Sequence, residues 1–248
     1  MKQTRLLMGM PITVEVLDER ATSEDVDAVY GYFEYVDEKF STYKDTSEIS
    51  RINRGEIGAE LYSRDMATVF ALAEQTRRET NGYFDIHHGG TCDPSGIVKG
   101  WAIYNAAEIL WEKGFQNFYV DAGGDIQVVG CNDQGEAWRV GVRNPFNVHE
   151  IVKVLTVSNC GVATSGTSIR GQHIYDPVGG KATIDDILAL TVVGPNVYEA
   201  DRFATAAFAM GREGILFIEQ LEGFEGYMID KDGQATLTTG LAEYISHA

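Results

Sequence analysis

Asp201 and Thr205 stand four residues apart in an alanine-rich stretch, Glu199 to Gly211, with no proline or glycine inside it. That spacing puts both on one helix face, a turn apart. A carboxylate above a hydroxyl gives two hard oxygen donors near a helix N-terminus, enough to hold Mg²⁺ if a third ligand comes from elsewhere. The same spacing also suits a carboxylate that merely complements the helix dipole, beside a threonine at the edge of the core. The pair needs company.

Three other stretches offer it. Asp93 to Trp101 reads as a small-residue turn opening a helix, which bares backbone N–H groups and a positive dipole end to a phosphate. Lys99 is unfavourable in that first turn, and a neighbouring anion would account for it. The stretch has neither a Walker A loop nor a GxGxxG fingerprint. Asp121-Ala122-Gly123-Gly124-Asp125 reads as a hairpin bend between two apolar strands. In Thr164-Ser165-Gly166-Thr167-Ser168, hydroxyls and free amides around a glycine can cradle an anion. His173 beyond it can bond a phosphate or move a proton, or serve as a structural histidine. His87 and His88 read as surface loop residues, since adjacent side chains rarely face one ion.

The elements that must position these residues follow from periodicity. Pro11 to Leu17 alternates as a strand, and Thr22 or Ser23 can cap a helix burying Val26, Val29, Tyr30, Phe33, Val36 and Phe40. Ser63 caps a second helix through Met66, Val69, Phe70 and Ala73, ending near Asn81-Gly82. A third follows Gly96, with Ile97, Gly100, Trp101, Tyr104, Ala107, Leu110 and Trp111 as its predicted buried face and Gly114 as its stop. Short strands then fall at 118–121, 126–129, 138–142, 152–157, 162–164, 173–175 and 188–193, separated by turn residues that favour antiparallel pairing. The Asp201 helix, a further helix at 212–221 and a hairpin around Asp230 to Gly233 close the chain. The order predicts an α+β fold, largely antiparallel central sheets with flanking helices, in a single domain over 1–248.

Composition sets the limits. The chain has 248 residues with 44% hydrophobic and 23% charged, ordinary for a globular core. Twenty basic against 37 acidic residues leave a net charge of −17, which argues against nucleic acid or an anionic membrane as partner. An anionic ligand therefore needs a metal, a helix N-terminus or a few placed cations. Three scattered cysteines predict free thiols rather than a disulfide framework. The N-terminal apolar run is too short for a signal peptide and no window suits a membrane span, so a cytoplasmic chain is expected, or an exported one that has been trimmed.

These pieces occur in an order that resembles the ApbE family of FAD:protein FMN transferases. They are Met8-Gly9-Met10, Phe40-Ser41-Thr42-Tyr43, Gly82-Tyr83-Phe84-Asp85, Ser95 to Ala102, Asp121 to Asp125, Trp138 to Val142, Thr164-Ser165-Gly166, His173 to Pro177 and Ala200 to Gly211. The resemblance implies a T-fold-like architecture and protein flavinylation. FAD is the bound substrate, Mg²⁺ the metal, and FMN passes to a threonine or serine of an acceptor flavoprotein, releasing AMP. It implies Asp201, Thr205 and the Gly96 carbonyl as metal ligands, with His173 and Asp201 catalytic. It places Met8, Tyr43, Tyr83, Phe84 and Asp85 on the flavin side, and Lys99, Ser165, Gly166, Thr167 and His173 near the pyrophosphate.

Two departures stand out. Tyr104 falls where the family usually carries an FAD-contacting aspartate, shifting adenosine recognition toward Asn105 or Asp93. Only 13 residues separate Asp85 from Lys99, a shorter cap than the family's. A more open site keeps two alternatives in view, an FAD pyrophosphatase giving FMN and AMP, and a non-catalytic flavin-binding protein.

Overall fold

The computed structural model describes residues 1–167, 174–180 and 182–245. The chain opens with a hairpin, β1 (Lys2–Leu7) and β2 (Met10–Val16), turned at Met8 and Gly9, both in the left-handed region. Helix α1 (Ser23–Phe40) starts where the Asp25 carboxylate accepts the Thr22 N–H at 2.9 Å and its hydroxyl at 2.8 Å. All six apolar residues of its predicted stripe are buried. Helix α2 (Glu48–Asn53), capped by Ser47, precedes α3 (Arg64–Glu79), capped by Ser63. Positive φ at Asn81 and Gly82 ends the second predicted helix where expected.

A two-residue hairpin, β3 (His87–His88) with β4 (Thr91–Cys92), leads into α4 (Ser95–Glu112). Then follow β5 (Phe118–Ala122), β6 (Asp125–Val129), β7 (Trp138–Asn144), β8 (Asn147–Val157), β9 (Cys160–Gly166) and β10 (Ile187–Gly194). Helices α5 (Val197–Ala209) and α6 (Gly214–Glu219) come next, before β11 (Glu225–Asp230) and β12 (Ala235–Leu237).

Eight strands form one sheet in the order β1-β2-β5-β6-β9-β10-β11-β12, and every neighbouring pair is antiparallel. Alternation splits its side chains between two layers. On one face α1 and α4 pack over β2 and β5 with α3 against α4, while α5 packs over β9 and β10 and α6 over β11. On the other, Ile126, Val128, Val162, Val193 and Ile229 meet the separate β7–β8 ladder through Trp138, Val142, Leu155 and Val157. The α+β, antiparallel expectation holds.

Some local readings change. Trp111 is 60% exposed instead of buried, because the last turn of α4 buries its Ala106, Ala107 and Leu110 side and leaves Trp111 outside it. Ile174 and Tyr175 lie outside any strand, and His173 lies outside the described residues. β1 and α2 carry no strong periodicity and were not expected. Cys92, Cys131 and Cys160 are free thiols, and burial pushes Cys92 up to about 12 and Cys160 to about 11. No helix among the described residues is long and apolar enough to cross a membrane.

Candidate functional site

Four chain segments meet at one end of the sheet: the first turns of α4, the β5–β6 bend, the end of β9 and the first turns of α5. Asn196 caps α5 by accepting the Glu199 N–H at 2.9 Å, and Gly211 at φ +63° lies just past its end. The helix starts two residues earlier than expected, which leaves Asp201 and Thr205 on successive turns of the face that meets α4.

Gly100 allows that meeting. A Cβ there would lie 2.6 Å from Asp201 Cβ and 2.9 Å from the Val197 carbonyl oxygen. Without one, the Gly100 N–H donates to Asp201 Oδ2 at 2.8 Å. Its ordinary helical acceptor is the carbonyl four residues back, Gly96, so the two oxygens compete for one hydrogen. Thr205 reaches the same carbonyl, its hydroxyl donating at 3.4 Å, and Ser165 Oγ lies 3.3 Å from Thr205 Oγ1. Asp201, Thr205 and Gly96, expected to supply a ligand set, line one cleft, with the Thr205 hydroxyl on the Gly96 carbonyl.

The lysine is explained differently from the sequence reading. Lys99 Nζ lies 3.4 Å from Asp201 Oδ1 and closer still to Asp125 Oδ2, so the anions that offset its dipole cost are the protein's own. Asp125 is 2% exposed, and its Oδ1 accepts the Thr164 N–H at 2.9 Å. Its Oδ2 lacks a well-aligned hydrogen bond among the described residues, resting on the ammonium contact alone. Burial raises the Asp201 pKa, Lys99 pulls it back, and Asp125 raises it further. Two carboxylates against one ammonium leave the cluster net negative when both are ionised. Among the described residues no three His, Cys, Asp or Glu side chains form a metal cage. The donors present are hard oxygens, which suit Mg²⁺ and not a thiophilic ion.

A cleft of about 1420 Å³ opens above this cluster. Met8, Tyr43, Tyr83, Phe84 and Asp85 line one part of it, and Lys99, Ser165 and Gly166 line another, with Asp201 and Thr205. Phe84 is 3% exposed and lies under the first turn of α4, its ring 3.4 Å from where a Gly96 Cβ would stand. Tyr43 is 97% exposed at the mouth. Asp85 folds back to accept the His87 N–H at 2.8 Å, and the Tyr175 hydroxyl donates to the Asp85 carbonyl at 3.0 Å. No acidic residue lies inside the first turn of α4, although Asp93 just before it accepts the Ser95 N–H at 3.0 Å, and the remaining N–H groups of that turn face the cleft.

Among the described residues, Tyr104, Asn105 and Thr167 do not join them. Tyr104 lies five residues beyond Lys99, about 140° round the helix, and packs against the core clear of the cleft lining. Asn105 donates to the Trp101 carbonyl at 2.7 Å on its own helix, whereas Asp93 does line the cleft. The Thr167 N–H is committed to Leu188 O at 3.2 Å, and the residue is not part of the lining. His173 lies outside the described residues. Asp125 and Tyr175 were missed as site residues. Asp125 was visible only as the residue after a Gly-Gly bend, where the turn reading drew the attention.

A buried arginine fixes α5 in place. Arg202 is 4% exposed, ion-paired to Glu79 of α3 and to Glu199, bonded to Thr76 Oγ1 at 3.2 Å, and stacked 3.9 Å from the Phe203 ring centroid. Arg202→Leu removes the cation but leaves two carboxylates that can still reach water. The expected loss is about 2 kcal/mol in denaturant unfolding, below the ~3–5 kcal/mol of a fully buried broken pair. An unchanged midpoint would show that this tie does not hold the helix.

The sequence model of the ApbE family matches residues 8–92 and 87–228. The FAD:protein FMN transferase of Escherichia coli K12 is 28% identical over 155 residues, 59% of this chain and 44% of that protein. The match thus spans less than half the length of that relative. The FAD:protein FMN transferase of Haemophilus influenzae is 24% identical, covering 93% of this chain and 86% of that protein. Flavin transferase ApbE from Vibrio cholerae superposes with a TM-score of 0.85 at 22% identity over 98% of both chains. The ApbE protein from Thermotoga maritima gives 0.87 at 18% identity over 100% of this chain and 99% of that one. At these identities the structures establish the fold alone.

Proposed function

The chain belongs to the ApbE family, and we propose that it is an FAD:protein FMN transferase that uses Mg²⁺. A threonine or serine hydroxyl of an acceptor protein attacks the FMN-side phosphorus of FAD. A new P–O bond forms, the pyrophosphate bridge breaks, the hydroxyl proton is lost, and AMP leaves. The observation that carries this reading is the oxygen cluster of Asp201, Thr205 and Gly96 on the floor of a large, partly aromatic cleft.

Those three residues would hold the ion. When bound, Mg²⁺ supplies charge compensation and polarises the phosphoryl oxygens. The chain's own residues do the rest. Asp125 and Asp201 hold Lys99 by ion pairs at the cleft floor. The α4 N-terminus adds a fixed dipole toward the same place. Met8, Tyr43 and Tyr83 offer apolar and aromatic surface to a flavin, and the buried Phe84 backs the Gly96 turn beneath them. Positioning and charge stabilisation are most of what phosphoryl transfer requires.

The test is to incubate the protein with FAD, Mg²⁺ and a candidate acceptor, following AMP and acceptor mass. AMP with an FMN-sized mass increase is the expected result. AMP with free FMN would show the pyrophosphatase favoured by the short, open cap. Neither product would overturn both.

A further inference from the structure

The cleft does not stop at the oxygen cluster. It continues across the sheet to the β7–β8 ladder, where Arg139, Gly141 and Arg143 point outward on one face of β7, opposite the buried Trp138 and Val142. Both arginines line the cleft. Neither makes a hydrogen bond or ion pair with any described residue, although the chain has 37 acidic side chains to its 20 basic ones. Lys2, also on the lining, is by contrast tied to Glu15 at 2.9 Å. Asp121 feels the Arg143 charge but spends its carboxylate on the Gly124 N–H at 2.9 Å.

The space between the arginines has a defined character. Gly141 leaves room for Ile151 of β8 to lie over it, with Ile151 Cδ1 2.9 Å from where a Cβ would stand. The result is an apolar seat with a guanidinium at each end. Four residues along a strand separate the two by about 13 Å, the spacing of side chains on one face of another extended chain. Among the described residues β7 pairs with β8 alone, so its outer edge has backbone groups open to a further strand.

We propose that this arm of the cleft seats the acceptor polypeptide as an extended, acidic segment, with Arg139 and Arg143 pairing carboxylates that flank the modified hydroxyl. The proposal rests on the transferase reading. It commits the arginines to the acceptor and not to FAD, whose phosphates have the proposed ion site and the α4 N-terminus on other elements. A strongly acidic enzyme repels an acidic partner everywhere except where unpaired cations are displayed, so this pair sets both docking site and specificity.

The experiment offers FAD, Mg²⁺ and a library of threonine-containing peptides to the wild-type chain and to the Arg139→Ser/Arg143→Ser double variant. Modified peptides are sequenced by mass. Flavin affinity is read by fluorescence quenching, and AMP release is measured without peptide. The expected result is enrichment of Asp and Glu near the modified threonine by the wild-type chain only. Acceptor kcat/KM should fall about tenfold or more in the variant, as for loss of charge-assisted bonds, with flavin affinity and peptide-free AMP release unchanged. Modification without acidic enrichment, or equal enrichment by both proteins, overturns the proposal but leaves the transferase intact. A tenfold loss of flavin affinity in the variant reassigns the arginines to FAD and overturns it too. AMP release with no peptide modified, or no AMP at all, overturns the transferase reading and this proposal with it.

Discussion

Asp201→Asn will slow AMP release from FAD by about 100- to 1000-fold, the range for removing one preorganised electrostatic contact to a reacting centre. The protein will stay folded. Asparagine keeps the shape of the side chain, and its carbonyl oxygen can still accept the Gly100 N–H that Oδ2 now takes at 2.8 Å. Lys99 loses a partner at 3.4 Å but retains Asp125. What disappears is a negative charge at a position that is 2% exposed, and with it the carboxylate of the proposed ion site. Burial already disfavours that charge, so its removal should not lower the thermal midpoint. Alanine would be a poorer probe, because it also removes one acceptor of the Gly100 N–H and opens a cavity. AMP release and thermal unfolding, measured on one preparation, separate the two effects. A wild-type rate would remove Asp201 from the mechanism, and an unfolded variant would make it a structural residue first.

The sequence made this site partly legible for a physical reason. Residues that act through local spacing could be read directly: Asp201 and Thr205 share a helix face at any helix position, and Ser63 and Thr22 signal caps without tertiary help. Residues whose role depends on a distant partner could not. Lys99 looked like a phosphate counter-charge because Asp125, 26 positions away across the fold, has no local signature. Trp111 continues the apolar stripe of α4, yet nothing in periodicity says that the last turn buries the Ala106, Ala107 and Leu110 side instead. Tyr104 drew notice by its place in a motif, whereas its angle on the helix turns it from the cleft. The strand alternation was enough for the antiparallel class, but neither the placing of β7–β8 on the opposite face nor the order of the eight strands follows from it.

Gly100→Ala tests whether the site is built by helix separation. Propensity alone predicts a gain, since alanine is about 1 kcal/mol better than glycine inside a helix. Packing predicts the reverse. The new Cβ would stand 2.6 Å from Asp201 Cβ and 2.9 Å from Val197 O, neither of them the free end of a flexible side chain. Ordinary contact is about 3.5–4.0 Å, so α4 and α5 must part by roughly 1 Å. Overpacking of this kind costs about 1–3 kcal/mol, which cancels the propensity gain and leaves a net loss of about 0–2 kcal/mol. Activity should fall further than stability. The same separation sets the Gly100–Asp201 bond and the 3.4 Å approach of Thr205 to Gly96, and a 1 Å misplacement at a reacting centre costs about 100-fold. Gly31→Ala in α1 is the matched control, because no atom lies within 4 Å of its Cβ and it should show the propensity gain alone. Denaturant midpoints and AMP release on the pair decide the matter. If Gly100→Ala behaves like Gly31→Ala in both, the close approach of α4 and α5 is not what brings Asp201, Thr205 and Gly96 to one point.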